Sequence, residues 1–187
     1  MDTIDRLRKK LARYERRVVA AGSLTKSAVL IPIVKGASGL ELLLTKRTDR
    51  VEHHKGQISF PGGACDPAEI TPSETALRES QEEIGLPPSA VSLLGPMDDI
   101  QTPSGFIITP VVGYIETLPP LHLNADEVAE VVLVPFEKFF DDTLRRSKFR
   151  EVEGKIVEVF FYDVWKEPVW GATALFVKRL VDLLKSP

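Results

Sequence analysis

Residues 71–86 read TPSETALRESQEEIGL, and the way this stretch folds decides how the rest is read. Thr71 suits a helix N-cap. Pro72 suits the first helical position, where a missing N–H costs nothing, and Glu74 completes a capping box with Thr71. Gly85 suits the left-handed residue that closes a helix. The stretch therefore predicts a helix over Pro72–Ile84, with Leu77 and Ile84 turned to the core and Glu74 one turn before Arg78, where the two can pair. Glu79, Glu82 and Glu83 then stand at i, i+3 and i+4 on one face. Like charges at that spacing cost a few tenths of a kcal/mol per pair. A solvated acidic face is the plain explanation of such a cluster. Here, however, the helix follows a glycine turn, FPGG (60–63), that brings backbone close to whatever the face holds. Clustered carboxylate oxygens suit a hard divalent cation such as Mg²⁺, and a bound cation removes the repulsion.

The chain has 187 residues, enough for one domain with a full core, and its 43% apolar and 27% charged content is that of an ordinary globular protein. A net charge of −3 gives no overall reason to expect nucleic acid or a membrane as partner. The charge is uneven: residues 1–24 hold seven basic and three acidic side chains, so this segment is +4 and the remainder −7. Cys65 is the one cysteine, which excludes an internal disulfide and points to a reducing compartment. Apolar runs such as AVLIPIV (28–34) are far too short to span a bilayer. A cytoplasmic protein is expected.

Ile4, Leu7, Leu11, Tyr14 and Val18 recur at spacings of three and four, one apolar stripe on a basic segment ending near Gly22. Residues 1–24 are therefore expected to form an amphipathic basic helix lying on a domain of residues 25–187. A homodimer contact and a membrane-surface helix are the alternatives for this stripe. SAVLIPIV (27–34) and LELLLTKR (40–47) read as a strand pair, and QISFPGG (57–63) as a short strand entering a turn. FIITPVVGYIE (106–116), AEVVLVPF (129–136) and KIVEVFFYDV (155–164) read as strands, with a short helical stretch near 136–142. GATALFVKRLVDLL (171–184) places Leu175, Val177, Leu180, Val181 and Leu184 at helical spacing.

The box residues resemble the signature of the Nudix hydrolases, which runs G, five residues, E, seven residues, R-E-U-x-E-E-x-G-U, with U aliphatic. Gly63, Glu69, Arg78, Glu79, Glu82, Glu83, Gly85 and Leu86 supply its fixed letters. Eight residues rather than seven separate Glu69 from Arg78, and Ser80 stands at an aliphatic position. LLLTKRTDRVEHHKGQISFPGG (42–63) is similar to the additional motif of coenzyme A pyrophosphatases, through Leu43, Leu44, Thr45, Arg47, Gly56, Phe60, Pro61, Gly62 and Gly63. Thr48 replaces a small residue of that motif, and Glu52 stands where it has arginine.

The resemblance implies an α/β fold of Nudix type, a mixed β-sheet sandwiched between helices with the box as a loop–helix–loop. It implies Mg²⁺- or Mn²⁺-dependent hydrolysis of the pyrophosphate in a nucleoside diphosphate derivative, a small-molecule substrate. Coenzyme A or acyl-coenzyme A is the expected substrate; ADP-ribose, a nucleotide sugar and a non-catalytic nucleotide-binding module are the alternatives. Glu79 and Glu83 are implied as metal ligands, and Glu82 as a further ligand or a group acting through water. Arg78 is implied to hold carboxylates in place, as the glutamate matching Glu69 holds the arginine and loop in the family. Gly62 and Gly63 are implied to admit metal or phosphate to the backbone. Glu127 is taken as general base, with Glu130 or a box glutamate as alternatives, and Arg47 as a substrate-phosphate contact. His53, His54 and Lys55 add a basic patch without zinc-ligand spacing, and Cys65 is incidental.

Overall fold

The computed structural model describes residues 2–49, 56–152 and 154–186. In chain order the elements are α1 (Thr3–Leu11), β1 (Thr25–Lys35), β2 (Leu40–Arg47), β3 (Ile58–Ser59), β4 (Gly62–Ala64) and α2 (Pro72–Ile84). There follow β5 (Ser92–Pro96), β6 (Ile100–Gln101), β7 (Phe106–Ile115), β8 (Val128–Pro135), β9 (Arg145–Val152), β10 (Lys155–Tyr162), β11 (Val169–Trp170) and α3 (Gly171–Lys185).

The main sheet runs β3-β2-β1-β7-β5, with β8 on β2, β4 on β1 and β6 on β7. β1 and β7 are parallel over ten residue pairs, while the other pairings are antiparallel. Both faces are covered, so β1 is nearly continuously apolar rather than alternating. Ala28, Leu30 and Val34 face α2 with Leu43, Val111 and Ile115. Ile31 and Ile33 face α1 and α3 with Leu42, Leu44 and Val112. β9, β10 and β11 form a separate three-stranded sheet.

The arrangement of β1 to β4 positions the site. β1 and β2 pair only at Ile33–Lys35 with Leu40–Leu42 and then diverge. The segment 58–64 enters the fork, joining β2 through β3 and β1 through β4. FPGG is thus not a free turn: Gly62 and Gly63 belong to a strand. A Cβ on Gly62 would lie 2.3 Å from the carbonyl oxygen of Ala28, so only glycine lets β4 approach β1 this closely.

The amino-terminal helix is shorter than its apolar period predicts. α1 buries Ile4, Leu7 and Leu11 but ends at Leu11, and Val18 is exposed. Past that point tertiary hydrogen bonds replace helical ones. The amides of Arg17 and Val19 donate to the carboxylates of Asp98 (2.9 Å) and Asp99 (2.9 Å), and Asp99 N–H donates to Arg17 O (3.1 Å). The helix lies on the domain body, as its stripe predicts: Arg6 donates to Leu184 O (2.8 Å) and Lys10 to Ser186 O (2.7 Å) at the end of α3.

β5, β6, β9 and β11 escape the sequence reading. β9 is RRSKFREV, with hardly a buried side chain to set a period, and its pairing with β10 alone makes it a strand. No helix among the described residues is long and apolar enough to cross a membrane.

Leu7 is fully buried between α1 and the sheet. Leu7→Ala is expected to lower unfolding free energy by about 2–4 kcal/mol in urea titrations, the cost of lost burial plus a cavity. A loss under about 0.5 kcal/mol would show that α1 is not part of the folding unit.

Candidate active site

α2 begins and ends as its sequence dictates. Thr71 Oγ1 accepts from the Glu74 amide (3.3 Å), Glu74 accepts in return from Thr71 N–H (3.0 Å), and Gly85 closes the helix at φ 69°. Glu74 also accepts from Ile70 N–H (2.7 Å), and it makes no ion pair with Arg78. The cap holds it, so the Glu74–Arg78 pair is not formed. Leu77 is only partly buried, whereas Ser80, at the aliphatic position of the box, is fully buried. Its hydroxyl is satisfied by Ala76 O at 2.6 Å.

The three glutamates differ sharply in depth. Glu83 is 3% exposed, Glu79 half-buried and Glu82 exposed. Glu83 Oε2 accepts from Gly62 N–H (3.2 Å), so β4 reaches the carboxylate directly. Gly63 lies against Glu79: a Cβ there would stand 2.5 Å from its carboxylate. Arg47, at the end of β2, brings Nη1 to 3.9 Å from Glu83 Oε1, while its own Nε is buried with no hydrogen-bond partner among the described residues.

Arg78 organises the outer half of the site. Its Nε donates to Glu69 (2.7 Å), Nη1 lies 2.8 Å from both Glu79 and Glu82, and Nη2 donates to Ala64 O (2.9 Å). Glu69 also accepts from Thr75 Oγ1 (2.6 Å) and Asp66 N–H (2.8 Å). The extra residue before Arg78 is therefore absorbed within the loop, and Glu69 still reaches the arginine. Its hydrogen bond to Arg78, with those to Thr75 and Asp66, outweighs partial burial and lowers its pKa to about 2.

Glu127 comes from the loop before β8. Asn124 N–H donates to Glu83 O (2.8 Å), tying that loop to the last turn of α2, and Asn124 Nδ2 donates to Glu127 (3.2 Å). Glu127 is close enough to raise the pKa of both Glu79 and Glu83. Glu130 is not. It sits opposite Lys46, on the α1/α3 side of the sheet with Lys46, Trp165 and Glu167. A β-bulge between Lys46 and Arg47 separates the two acids, and such bulges re-aim side chains. Asn124 escaped the sequence reading, since its role rests on contact with a segment some forty residues earlier in the chain. Glu52, His53, His54 and Lys55 lie outside the described residues, and Cys65 is a free, partly buried thiol.

Burial is the main cause that pushes Glu83 up to about 8, with Glu127 and Glu79 adding repulsion against the pull of Gly62 and Arg47. Burial likewise raises Glu79, with Glu82 and Glu127 contributing and Arg78 opposing. Among the described residues no three acidic, histidine or cysteine side chains converge tightly enough to enclose a metal. Arg78 draws Glu79 and Glu82 to itself, while Glu83 turns to Gly62. The donors nevertheless fit a hard cation: oxygens only, partly desolvated and mutually repelling.

Two stability measurements check this electrostatic picture. The folded-state pKa of Glu83 lies above its ordinary 4.5, so its contribution is fully present below about 4.5 and lost as pH rises through 8. Without divalent cation, stability is expected to fall by roughly 2–4 kcal/mol over that window, a fall that Glu83→Gln removes. A pH-independent difference between the two proteins would contradict it. Glu69 has the opposite sign: its contribution is present above about 4.5 and lost toward 2. Glu69→Gln should therefore cost about 1 kcal/mol, roughly 3 °C in Tm, at pH 7 and almost nothing below about pH 2.

Known proteins place this arrangement. The NUDIX domain family matches residues 24–160. The chain is 40% identical over 157 residues to a protein of Pectobacterium atrosepticum named Nudix hydrolase NudL, covering 83% of this chain and 80% of that one. It is 36% identical over 180 residues to the protein of that name from Yersinia enterocolitica, covering 92% and 90%. Among solved structures, a NUDIX hydrolase of Alicyclobacillus acidocaldarius matches with a TM-score of 0.57 at 19% identity, over 85% of this chain and 91% of that one, a likeness of fold. A buried helical carboxylate, an arginine clasping its neighbours and a glycine strand laid against them are thus found in a chain that belongs to the Nudix hydrolase family.

Proposed function

We propose that this enzyme hydrolyses the pyrophosphate of coenzyme A or an acyl-coenzyme A, giving 3′,5′-ADP and 4′-phosphopantetheine, with Mg²⁺ or Mn²⁺ as cofactor. Hydrolysis of a pyrophosphate bond in a nucleoside diphosphate derivative follows from the family; the coenzyme is the narrower part of the proposal. The observation that carries it is Arg47. It ends the strand of the LLTKR motif beside Glu83, with its Nε buried and unpaired among the described residues. A partly exposed guanidinium with a donor to spare is suited to a phosphate oxygen.

Glu79 and Glu83 would hold the metal, with Glu82 at the exposed rim ligating or acting through water. The metal, when bound, neutralises charge on the pyrophosphate oxygens. Glu127 takes the proton of the attacking water. The hydroxyl goes to one phosphorus, the P–O–P bond breaks, and the other phosphate leaves as the anion. Arg78 is a positioning residue: its donors are taken up by Glu69, Glu79, Glu82 and Ala64. Gly63 keeps a side chain off the Glu79 carboxylate, and Gly62 lets β4 come near enough to β1 for its amide to reach Glu83.

A second reading rests on Glu52, which reverses the charge of the coenzyme A motif. Near a surface, two charges about 4 Å apart interact by about 4 kcal/mol before screening, enough to disfavour the 3′-phosphate and turn preference to ADP-ribose or a nucleotide sugar.

Two experiments test the reading. Glu83→Gln should lower turnover about 100-fold or more at saturating Mg²⁺ while leaving the fold intact, since it removes an anionic ligand. Near wild-type turnover would remove Glu83 from the metal site. The second compares kcat/KM for coenzyme A, dephospho-coenzyme A and ADP-ribose in the wild type and in Glu52→Arg. Coenzyme A is expected to be the best substrate. A preference for ADP-ribose that Glu52→Arg reverses would overturn that and identify the residue responsible.

A further inference from the structure

The basic amino-terminal segment is not used by the hydrolytic site. α1 and α3 pack on the sheet face opposite α2, so what α1 presents is remote from Glu83. Arg6, Lys9, Lys10 and Arg13 follow one another at spacings of three, one and three, a single stripe on α1 and the turn after it. With Tyr14, Arg17 and Ser186 they border an open cleft of about 810 Å³ between α1 and the end of α3. Five cations face two acids there, Glu15 and Asp98.

Setting aside the Arg17–Asp98 pair leaves four cations and one acid. Asp98 is already engaged: it accepts from the Arg17 amide (2.9 Å) and from Arg17 Nη2 (3.1 Å), and it bonds the hydroxyl of Tyr14. Arg13 makes no ion pair among the described residues. Arg6 and Lys10 each rest one or two donors on Leu184 O and on Ser186, which fixes their heads at the wall of the cleft. A guanidinium has five N–H donors, so the bond of Arg6 to Leu184 O leaves it able to meet a ligand as well. Side chains already tethered lose less conformational freedom when they bind. The volume lies within the range of small-molecule sites.

We propose that this cleft is a second, non-catalytic site for a soluble compound with two or more neighbouring phosphates. An open cleft bordered by cations suits a compact polyanion, whereas a membrane would require a flat or convex basic surface with apolar side chains at its rim. Ile4, Leu7 and Leu11, the apolar stripe of the same helix, are buried in the core and cannot enter a bilayer. Because the cleft and the carboxylate site lie on opposite faces of the sheet, both can be filled together. The ligand is therefore an effector or a tether rather than a competitor of substrate.

The test uses the full chain and inorganic tripolyphosphate, in EDTA so that no divalent cation assists the carboxylate site. Calorimetry should show saturable binding in the micromolar range that weakens as salt rises. Lys9→Glu/Arg13→Glu, both exposed positions, should keep the wild-type Tm and lose at least tenfold in affinity. Glu83→Gln should bind as the wild type does. Absence of saturable binding, equal affinity in the double variant, or loss of binding in Glu83→Gln would each overturn the proposal. A parallel sedimentation assay with phosphatidylglycerol vesicles separates the sources of phosphate. Vesicle binding that the double variant loses, without tripolyphosphate binding, would reassign the cleft to lipid headgroups and overturn it as well.

Discussion

Glu83 carries a carboxylate into the domain interior, where 3% of the residue is exposed, and a single backbone N–H, that of Gly62, hydrogen-bonds to it. Much of the surrounding structure is the set of arrangements that makes this tolerable. A lone buried carboxylate is costly and tends to neutralise. Here β4 lies in the fork between β1 and β2, so that a backbone donor arrives without a side chain. Arg47 closes from the other side at 3.9 Å. Neither offsets the burial, and Glu127 and Glu79 add to the cost. A cation beside Glu83 would relieve the residual imbalance.

The outer half of the site follows a different logic. Arg78 stands among Glu69, Glu79, Glu82 and the Ala64 carbonyl, near enough to the surface for every partner to be satisfied. It holds the loop between β4 and α2 against the helix and keeps the repulsion among carboxylates below what their spacing implies. The depth difference between Glu83 and Glu82, adjacent in sequence, lets one helix turn hold a desolvated group and a solvated one.

The sheet separates two electrostatic worlds. Carboxylates gather on the α2 side, while the stripe of cations on α1 gathers on the other, bordering the end of α3. Lysine and arginine near a helix C-terminus are favoured by the carbonyls there, which accounts for the contacts of Arg6 and Lys10 with Leu184 and Ser186. It does not account for Lys9 and Arg13, which extend the stripe into the cleft.

Local signals by themselves determined α2. Its cap, its first proline, its closing glycine and its length are set within sixteen residues, so short-range rules suffice. They also gave the strands β1, β2, β7, β8 and β10 and the helix α3, because each buries apolar side chains with a recognisable period. Tertiary structure decided what depends on partners distant in sequence. α1 stops at Leu11 because Asp98 and Asp99 capture the backbone beyond it. Gly62 and Gly63 lie in a strand because β1 accepts them, and RRSKFREV is one because β10 does. The carboxylate list was legible in the order of residues along α2, but the depth of each was not. Whether Glu127 or Glu130 meets the box turns on the loop before β8, which Asn124 ties to the last turn of α2, and on the register that sets Glu130 opposite Lys46. A period-two strand sends neighbours to opposite faces, so one residue of register decides which face Glu130 takes, and no local pattern encodes that.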